Sequence, residues 1–455
     1  MEVGKTYKVL IEGYDMNGYG VCHIDNKVVF VEGAMKDEWV ICEITHTHKK
    51  YAFAKMQRYL NKADDRIEAL CPYYELCGGC DLLHMEYDTE GKIKENKLRQ
   101  TIKRDNIKYN PLIKNDNIYG YRNKVMVPFA RDEEDDVIYG FYEKKSHKII
   151  SMDKCIISSD LDNKILWFIR GYLSLFHISI YNEEKHTGIF KEVMLRHNYK
   201  NEVMVVLVVT KEIDFSYLIE LLSKEFKEIK SIYLNINSEK TNVVLSNNYK
   251  LLYGDKTIIE NILGLNFEVS PSSFMQVNHK QCEKLYQEAF RMANLNKNMN
   301  VIDAYCGMGS ITLNIAKNVN HVYGIEIVED AIKNANKNKE LNNISNATFI
   351  CGACENEIVK LVNKEKIDVI FFDPPRKGCD EKFLQTVISM KIPKIVYISC
   401  NIATCARDIK ILEQNGYELK EATPVDLFSR TSHVECVVLL NRIESKKLQK
   451  YKKIS

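Results

Sequence analysis

The stretch IVYISCNIATCARD, residues 395–408, sets the fold. Ile395, Val396, Tyr397 and Ile398 form a short apolar, β-branched run that reads as a buried strand. From Ala403 onward, ATCARDIKILEQ spaces its apolar positions by three and four, the period of a helix. Ser399, Cys400 and Asn401 fill the turn between them. A side chain on a strand-to-helix turn of an open α/β sheet faces the crevice at the carboxyl ends of the strands, where such folds bind ligands. Read alone, Cys400 is better taken as one more buried thiol, since free cysteine packs as a small hydrophobe. The segments around it change that reading.

From about residue 270 the chain alternates strand and helix, the signature of a doubly wound, Rossmann-like sheet. Seven strands are expected, at 300–305, 321–327, 347–351, 367–373, 394–399, 417–425 and 434–440. No helix separates the last two, so a reversed final strand is expected. VIDAYCGMGS (301–310) is a strand running into a G-x-G turn that opens a helix, with Asp303 on the strand. Glu326 ends the next strand, placed to accept two ribose hydroxyls. A third glycine is missing, which argues against a nicotinamide dehydrogenase. Strand–Asp–turn followed by strand–Glu looks like the S-adenosylmethionine pocket of class I methyltransferases. In FFDPPRKGCD (371–380) two prolines stiffen the loop and hold Asp373 over the same crevice. In HVECVVLL (433–440) Glu435 is a lone carboxylate opening an apolar strand, which reads either as a residue at the solvent edge or as one with a raised pKa suited to taking a proton.

Upstream, residues 1–59 read as an all-β unit with strands at 5–11, 21–24, 27–31, 39–46 and 51–59, cornered by Gly13, Gly18, Gly20 and Gly33. This suggests a small barrel of the oligonucleotide-binding (OB-like) type. His46, His48, Lys49, Lys50, Lys55 and Arg58 alternate with Tyr51 and Phe53, a pattern that suits RNA backbone and stacked bases as well as it suits a solvated strand face. The stretch EGYDMNGYGVCHIDNKVVFVEGAMKDE (12–38) resembles a TRAM domain, an RNA-binding module. Residues 60–268 read as a central α+β domain, and 269–455 as the catalytic one. Cys71, Cys77 and Cys80, spaced C-x5-C-x2-C with Gly78-Gly79 in the last gap, read as a metal knuckle. Cys155 is the best fourth ligand and His84 a weaker one. Four thiolates hold zinc or an iron–sulfur cluster, and spacing does not choose. Residues 81–115 read as helical; 120–265 read as strands at 191–197, 202–210 and 231–236 with a helix at 215–226.

The chain is 455 residues long, 45% hydrophobic and 28% charged, with a net charge of only +2, so any nucleic-acid footprint must be local. No run of about eighteen apolar residues predicts a membrane span. The start, MEVGKTYKVLIEGYD, lacks a signal-peptide core. A cytoplasmic protein is expected, whose fourteen cysteines serve as thiols, ligands or nucleophiles. The lysine-rich stretch 446–453 reads either as an RNA contact or as a disordered end.

DAYCGMGSITL, SPSSFMQVN (270–278), DPPRKGCD, SCN-x-AT-x-ARD and HVECVVLL, in this order and with the knuckle and barrel upstream, resemble the RNA uracil-5-methyltransferases across nearly the whole chain. Barrel and cysteines together point to the branch acting on large-subunit (23S) ribosomal RNA rather than transfer RNA. A monomer with no membrane partner is expected. It implies a 4Fe–4S cluster on Cys71, Cys77, Cys80 and Cys155, in preference to zinc. It also implies cofactor contacts from Gln276, Tyr305, Glu326 and Asp373, and RNA near Phe274 and the loop 121–124. Cys400 is then the nucleophile at carbon 6 of uracil and Glu435 the base that removes the proton on carbon 5. Two positions depart from the pattern: Ile402 stands where a proline is usual, and Cys405 where a bulky apolar residue is. Cys351-Gly-Ala-Cys354 has knuckle spacing but no partner pair and stays unassigned. The competing readings are an RNA cytosine-5-methyltransferase and a non-catalytic iron–sulfur RNA-binding protein. The first usually carries a second cysteine beside the proline occupied here by Pro375, whereas Cys379 lies further on. The second does not account for the cofactor end.

Overall fold

In the computed structural model, which describes residues 1–241 and 243–443, the apolar segments after residue 300 form one twisted sheet. Its strand order is Ala347–Cys351, His321–Glu326, Asn300–Ala304, Val369–Phe372, Lys394–Ser399, Glu435–Arg442, Tyr417–Val425 and Lys108–Tyr109. The first five are parallel, and Glu435–Arg442 runs against both its neighbours, as the missing helix before it predicted. The sheet has eight strands rather than the seven expected. The eighth, Lys108–Tyr109, comes from far upstream and pairs in parallel with Glu421 and Ala422. It covers an edge that would otherwise expose unpaired backbone groups. The stretch read as one helix over 81–115 is helical only over Tyr87–Ile102; Lys103 then turns left-handed at φ 51° and frees the chain to reach that edge.

The N-terminal sheet runs Thr6–Leu10, Trp39–Thr47, Tyr51–Tyr59, Lys27–Glu32, Gly20–Ile24 and Gly13–Tyr14, curled around Val9, Val29, Val40 and Ile44. Gly13–Tyr14 is a sixth, two-residue strand beyond the five expected. The middle sheet runs Tyr249–Gly254, Ile229–Ile236, Val203–Val209, Phe190–His197, Lys124–Arg131 and Val137–Tyr139. Period-2 alternation splits its residues. Val193, Leu195, Val205 and Leu207 face the helices Asp160–Leu175 and Ser216–Glu225, while Met194, Met204, Val206 and Val208 share a core with Phe267, Val269 and Met275. The second core continues under the C-terminal sheet through Val301, Phe371 and Val396. The middle sheet is thereby packed against the crevice-bearing one.

Among the described residues no helix is long and apolar enough to cross a membrane. The basic stretch 446–453 lies outside the described residues.

Candidate active site

At the carboxyl end of Asn300–Ala304 the chain turns through Tyr305, held left-handed at φ 64°. Cys306 N donates to Ile325 O at 3.1 Å, pinning the turn to the next strand. Gly309, at φ 86°, starts the helix Ser310–Ala316; a Cβ there would lie 2.6 Å from the Phe349 ring. No other residue fits this approach. Asp303 is buried behind the turn and accepts from Thr312 Oγ1 at 2.5 Å. Burial, reinforced by Asp373, pushes its carboxyl up to about 7. Glu326 is locked at the end of His321–Glu326: its Oε1 accepts from Ile327 N (2.8 Å) and Val328 N (3.0 Å), and its Oε2 from Gly307 N (3.3 Å). Ile327 and Val328 leave their apolar side chains exposed on the rim. The Tyr305 ring lies 5.2 Å from the ring of the buried Phe383. The unassigned Cys351 and Cys354 donate to Ile327 O (3.7 Å) and Ile325 O (3.8 Å), so both thiols are spent on this end of the sheet.

Cys400 follows the strand Lys394–Ser399 and is half-buried. Its turn is bound on both sides. Asn401 caps the helix Ile402–Gln414 by accepting from Ala403 N at 3.1 Å, while its Nδ2 donates to Arg376 O at 3.2 Å. Thr404 Oγ1 donates to the same carbonyl at 3.3 Å. The Pro374–Gly378 loop is further held by Asp408, fully buried, which accepts from Cys379 N (2.9 Å), Tyr397 Oη (2.9 Å) and Arg407 Nε (2.8 Å). Gly378 sits over this knot at φ 78°, where a Cβ would meet Arg407 Nη2 at 2.6 Å. These hydrogen bonds supply the stiffness that a proline at position 402 would otherwise give.

Across the sheet Ser399 pairs with Cys436, which sets Cys400 beside Glu435. Glu435 is 2% exposed, and its Oε2 has no hydrogen-bond partner among the described residues. Burial, with the Asp373 carboxylate adding to it and Arg376 opposing, pushes Glu435 up to about 8. Burial pushes Asp373 up to about 7. Burial and then the Glu435 and Asp373 carboxylates push the Cys400 thiol up to about 11, and Arg376 alone among the neighbouring side chains pulls it down. Cys400, Glu435, Asp373 and Arg376 thus act on one another in one crevice: a sulfur, two carboxyls that hold protons near neutrality, and a cation.

Gln276 is buried on the segment joining Leu265–Val269 to the helix His279–Ala293. That segment is clasped from both sides. Asn123 N donates to Val277 O (2.9 Å) and Asn123 Nδ2 to Gln276 O (3.2 Å), while Asn278 Nδ2 donates to Leu427 O (3.3 Å). Phe274, two residues before the first of these clasps, is 77% exposed. The loop 121–124 is less open than a basic RNA-facing loop should be. Tyr121 is buried and donates to Ser429 O at 2.9 Å, Arg122 Nε is buried without a partner, and burial pushes Lys124 down to about 8.

Cys71, Cys77, Cys80 and Cys155 all line one cavity, walled by Leu83, Met152 and Ile157. Burial raises the thiols of Cys71, Cys77 and Cys80, and the neighbouring thiols add to it. Among the described residues no group of three His, Cys, Asp or Glu side chains converges as ligands of a single metal ion. His84 is not on the cavity wall; it is buried, bonded at Nδ1 to Tyr74 Oη, and pushed down to about 3 by burial.

On the N-terminal sheet Phe30, Tyr51 and Phe53 cluster with ring centroids 5.5–6.0 Å apart, and His48 stacks 4.5 Å from Tyr51. This aromatic face adjoins Lys49 and Lys50.

Two features escape a reading of the sequence. Arg376 is read there as part of a loop motif, not as the one cation facing the thiol. Glu90 and Lys94, spaced i,i+4, look like a solvent pair, yet both are buried: Lys94 Nζ donates to Glu90 Oε1 (2.7 Å) and to Asp426 Oδ1 (2.6 Å). Asp426 begins the loop that delivers His433 and Glu435 to the crevice.

A family model described as tRNA (uracil-5-)-methyltransferase matches residues 86–443, and a TRAM domain model matches residues 1–56. An uncharacterized RNA methyltransferase of Clostridium acetobutylicum is 39% identical over 448 residues, covering 96% of this chain and 97% of that one. One of Listeria innocua is 40% identical over 450 residues, covering 97% and 98%. Among solved structures, the Pyrococcus abyssi tRNA (uracil-54, C5)-methyltransferase in complex with S-adenosyl-L-homocysteine superposes with a TM-score of 0.77 at 25% identity, covering 95% of this chain and 100% of that one.

Proposed function

From the premise that this chain belongs to the tRNA (uracil-5-)-methyltransferase family and is an S-adenosylmethionine-dependent RNA (uracil-5-)-methyltransferase with a TRAM domain, we propose that it methylates large-subunit (23S) ribosomal RNA through a covalent Cys400–uracil adduct. The observation that carries the mechanism is a half-buried thiol at the end of one strand set beside a buried carboxylate that opens the next, whose Oε2 has no hydrogen-bond partner among the described residues. Carbon 5 of uracil is a weak nucleophile. Cys400, as thiolate, adds to carbon 6, and the electron pair displaced from the 5,6 double bond makes carbon 5 reactive. Arg376 favours the thiolate while the two carboxyls are protonated. S-adenosylmethionine, when bound, supplies an electrophilic methyl group to carbon 5. Glu326 and Asp373 with Gln276 and Tyr305 would hold it, the preset Glu326 carboxylate meeting ribose hydroxyls. Glu435 then takes the remaining proton from carbon 5, the 5,6 double bond re-forms, and the sulfur–carbon 6 bond breaks to return Cys400. The uracil must leave its stack to reach the crevice.

We assign Cys71, Cys77, Cys80 and Cys155 to a 4Fe–4S cluster. The four thiols line one common cavity, a donor set of the kind that holds such a cluster. The cytoplasm supplies both the RNA and the reducing conditions that keep the thiols free.

Ribosomal RNA is favoured by the coexistence of the TRAM domain and the four-cysteine cavity. Transfer RNA is the second reading, because the Pyrococcus abyssi tRNA enzyme matches over nearly the full length. Purified protein given labelled S-adenosylmethionine with 23S rRNA or with bulk tRNA, followed by mapping of 5-methyluridine, decides between them. Transfer only to tRNA would reject the ribosomal assignment. Label on cytidine would reject the uracil chemistry.

A further inference from the structure

A second cleft, of about 510 Å³, opens on the middle sheet away from the crevice. Its size falls within the roughly 300–1,000 Å³ of small-ligand sites. Phe141, Tyr142 and Tyr181 form its aromatic walls, and Lys191 and Glu192 both reach into it. Consecutive strand residues ordinarily point to opposite faces. Here a bulge between Phe190 and Glu192 breaks the register and turns both toward the cleft. Glu192 is 8% exposed and has no side-chain hydrogen bond or ion pair among the described residues. Opposite it in the sheet stands Pro128, which has no N–H to offer. Burial and the nearby Glu183 carboxylate push Glu192 up to about 7 despite Lys191.

The walls are fixed from outside. Tyr142 O accepts from Gly78 N (3.2 Å) in the cysteine loop, and Tyr142 Oη donates to Glu183 Oε1 (3.2 Å). Tyr181 Oη is 2.9 Å from His186 Nδ1, and Lys191 Nζ lies 4.8 Å over the Tyr181 ring. Phe141 also lines the cysteine cavity, so the two sites share a wall.

Aromatic walls, a largely buried carboxylate that makes no side-chain hydrogen bond or ion pair among the described residues and an adjacent cation match an unstacked nucleobase with its phosphate. A carboxylate pairs in bidentate fashion with two parallel N–H groups, and guanine presents N1–H and the 2-amino group side by side. We propose that this cleft receives an unpaired guanine of the substrate RNA, distinct from the uracil being methylated, with Glu192 reading its Watson–Crick edge and Lys191 turned to its phosphate. This rests on the chain's being an RNA-modifying enzyme, and adds a site that fixes the position of the RNA.

The test uses the full-length protein and three fluorescein-labelled single strands, UUUGUUU, UUUIUUU (I, inosine, which lacks only the 2-amino group) and UUUUUUU, followed by anisotropy at one fixed salt concentration. The guanine strand is expected to bind about tenfold more tightly than the other two, the effect of one good bidentate pair. E192Q is expected to erase that preference with S-adenosylmethionine binding unchanged, and Y142A to weaken all three strands alike. Equal binding of the guanine and inosine strands by the wild type, which needs no variant to fold, would overturn the proposal. So would an E192Q protein that keeps the preference. A guanine preference in a protein that transfers no methyl group would remove the enzymatic reading and leave the cleft standing.

Discussion

Cys400 and Glu435 face one another across the antiparallel pair Lys394–Ser399 and Glu435–Arg442, set in register by Ser399 and Cys436. A nucleophile and a base on separate loops would need a closing motion to meet. Here the turn that carries Cys400 leaves its strand one residue past the Ser399–Cys436 pair, so the backbone ladder sets it beside Glu435. Cys400→Ala should therefore lower methyl transfer by at least about 10⁴-fold, the scale on which removal of a nucleophile acts. Glu435→Gln should still add and methylate but fail to release: a protein–RNA species stable to denaturing electrophoresis should accumulate. A Cys400→Ala enzyme with near-normal transfer would overturn the nucleophile, and a Glu435→Gln enzyme without adduct would overturn the base.

The pH dependence follows from the direction of each shift. Glu435 holds its proton up to about pH 8, and only its carboxylate form can take the proton from carbon 5. Release should rise through pH 7–9, and Glu435→Gln should lose that limb. Stability should move the opposite way. The folded pKa lies above the unfolded one, so folding binds a proton between about pH 4.5 and 8, and the native state weakens as pH rises across that window. Glu435→Gln escapes this penalty. Its melting temperature should match the wild type near pH 4.5 and exceed it by a few degrees at pH 8, as a pair of thermal scans would show.

Arg376 is the cation that opposes both shifts, lowering Cys400 and Glu435 alike. Arg376→Met should raise the pH at which iodoacetamide alkylates Cys400 and slow transfer most at low pH, so that the loss shrinks as pH rises. Its guanidinium is exposed, so the fold should be unaffected. A loss equal at all pH values would assign Arg376 to RNA binding instead.

The C-terminal sheet was legible because its signals are local: apolar runs of four to six residues, glycine turns and helical periods, each close in sequence. The reversed last strand was legible for the same reason. Features set by distant partners were not. Lys108–Tyr109 is two residues long and becomes a strand only because an edge awaits it. The helix Asp160–Leu175 carried a signal that went unread, the capping box of Ser159 and Asp162. The loop 121–124 looked basic and open, and only packing shows Tyr121 buried against Ser429. Of the site, residue types and strand-end positions could be read. The cation facing the thiol could not, because Arg376 and Cys400 meet only when two loops fold together.

Asp408 carries the join between those loops. Deleting its carboxylate leaves Cys379 N and Tyr397 Oη without their acceptor and Arg407 without its ion pair. Asp408→Ala should cost about 2–4 kcal/mol, mostly from the two buried donors left without an acceptor, since Arg407 itself is half-exposed. The Pro374–Gly378 loop should loosen, and transfer should fall even where the protein remains folded. Urea unfolding with a shifted midpoint checks the first effect, and single-turnover kinetics below the transition checks the second. An unchanged midpoint would show that the knot contributes nothing.

Lys94 poses the same question at longer range. Its ammonium is wholly buried between Glu90 and Asp426, with Phe428 O as third acceptor at 3.1 Å. Tyr87 Oη and Ser429 Oγ each donate to Asp426 Oδ2 at 2.6 Å, and Arg430 N donates to Glu90 Oε1 at 2.8 Å. The helix Tyr87–Ile102 is thereby fastened to the loop that ends at His433 and Glu435. Lys94→Met keeps the length of the side chain but leaves two buried carboxylates facing each other, offset only by Arg430, whose Nη1 lies 3.5 Å from Glu90 Oε2. At pH 7–8 it should lose about 3–5 kcal/mol. At pH 5 the loss should shrink, because burial and mutual repulsion let one carboxyl take up a proton once the lysine is gone. The double variant Lys94→Met, Glu90→Gln removes the repulsion and should recover much of the stability. If it does not, the network is scaffolding for the helix rather than an electrostatic clamp on the loop that delivers the base.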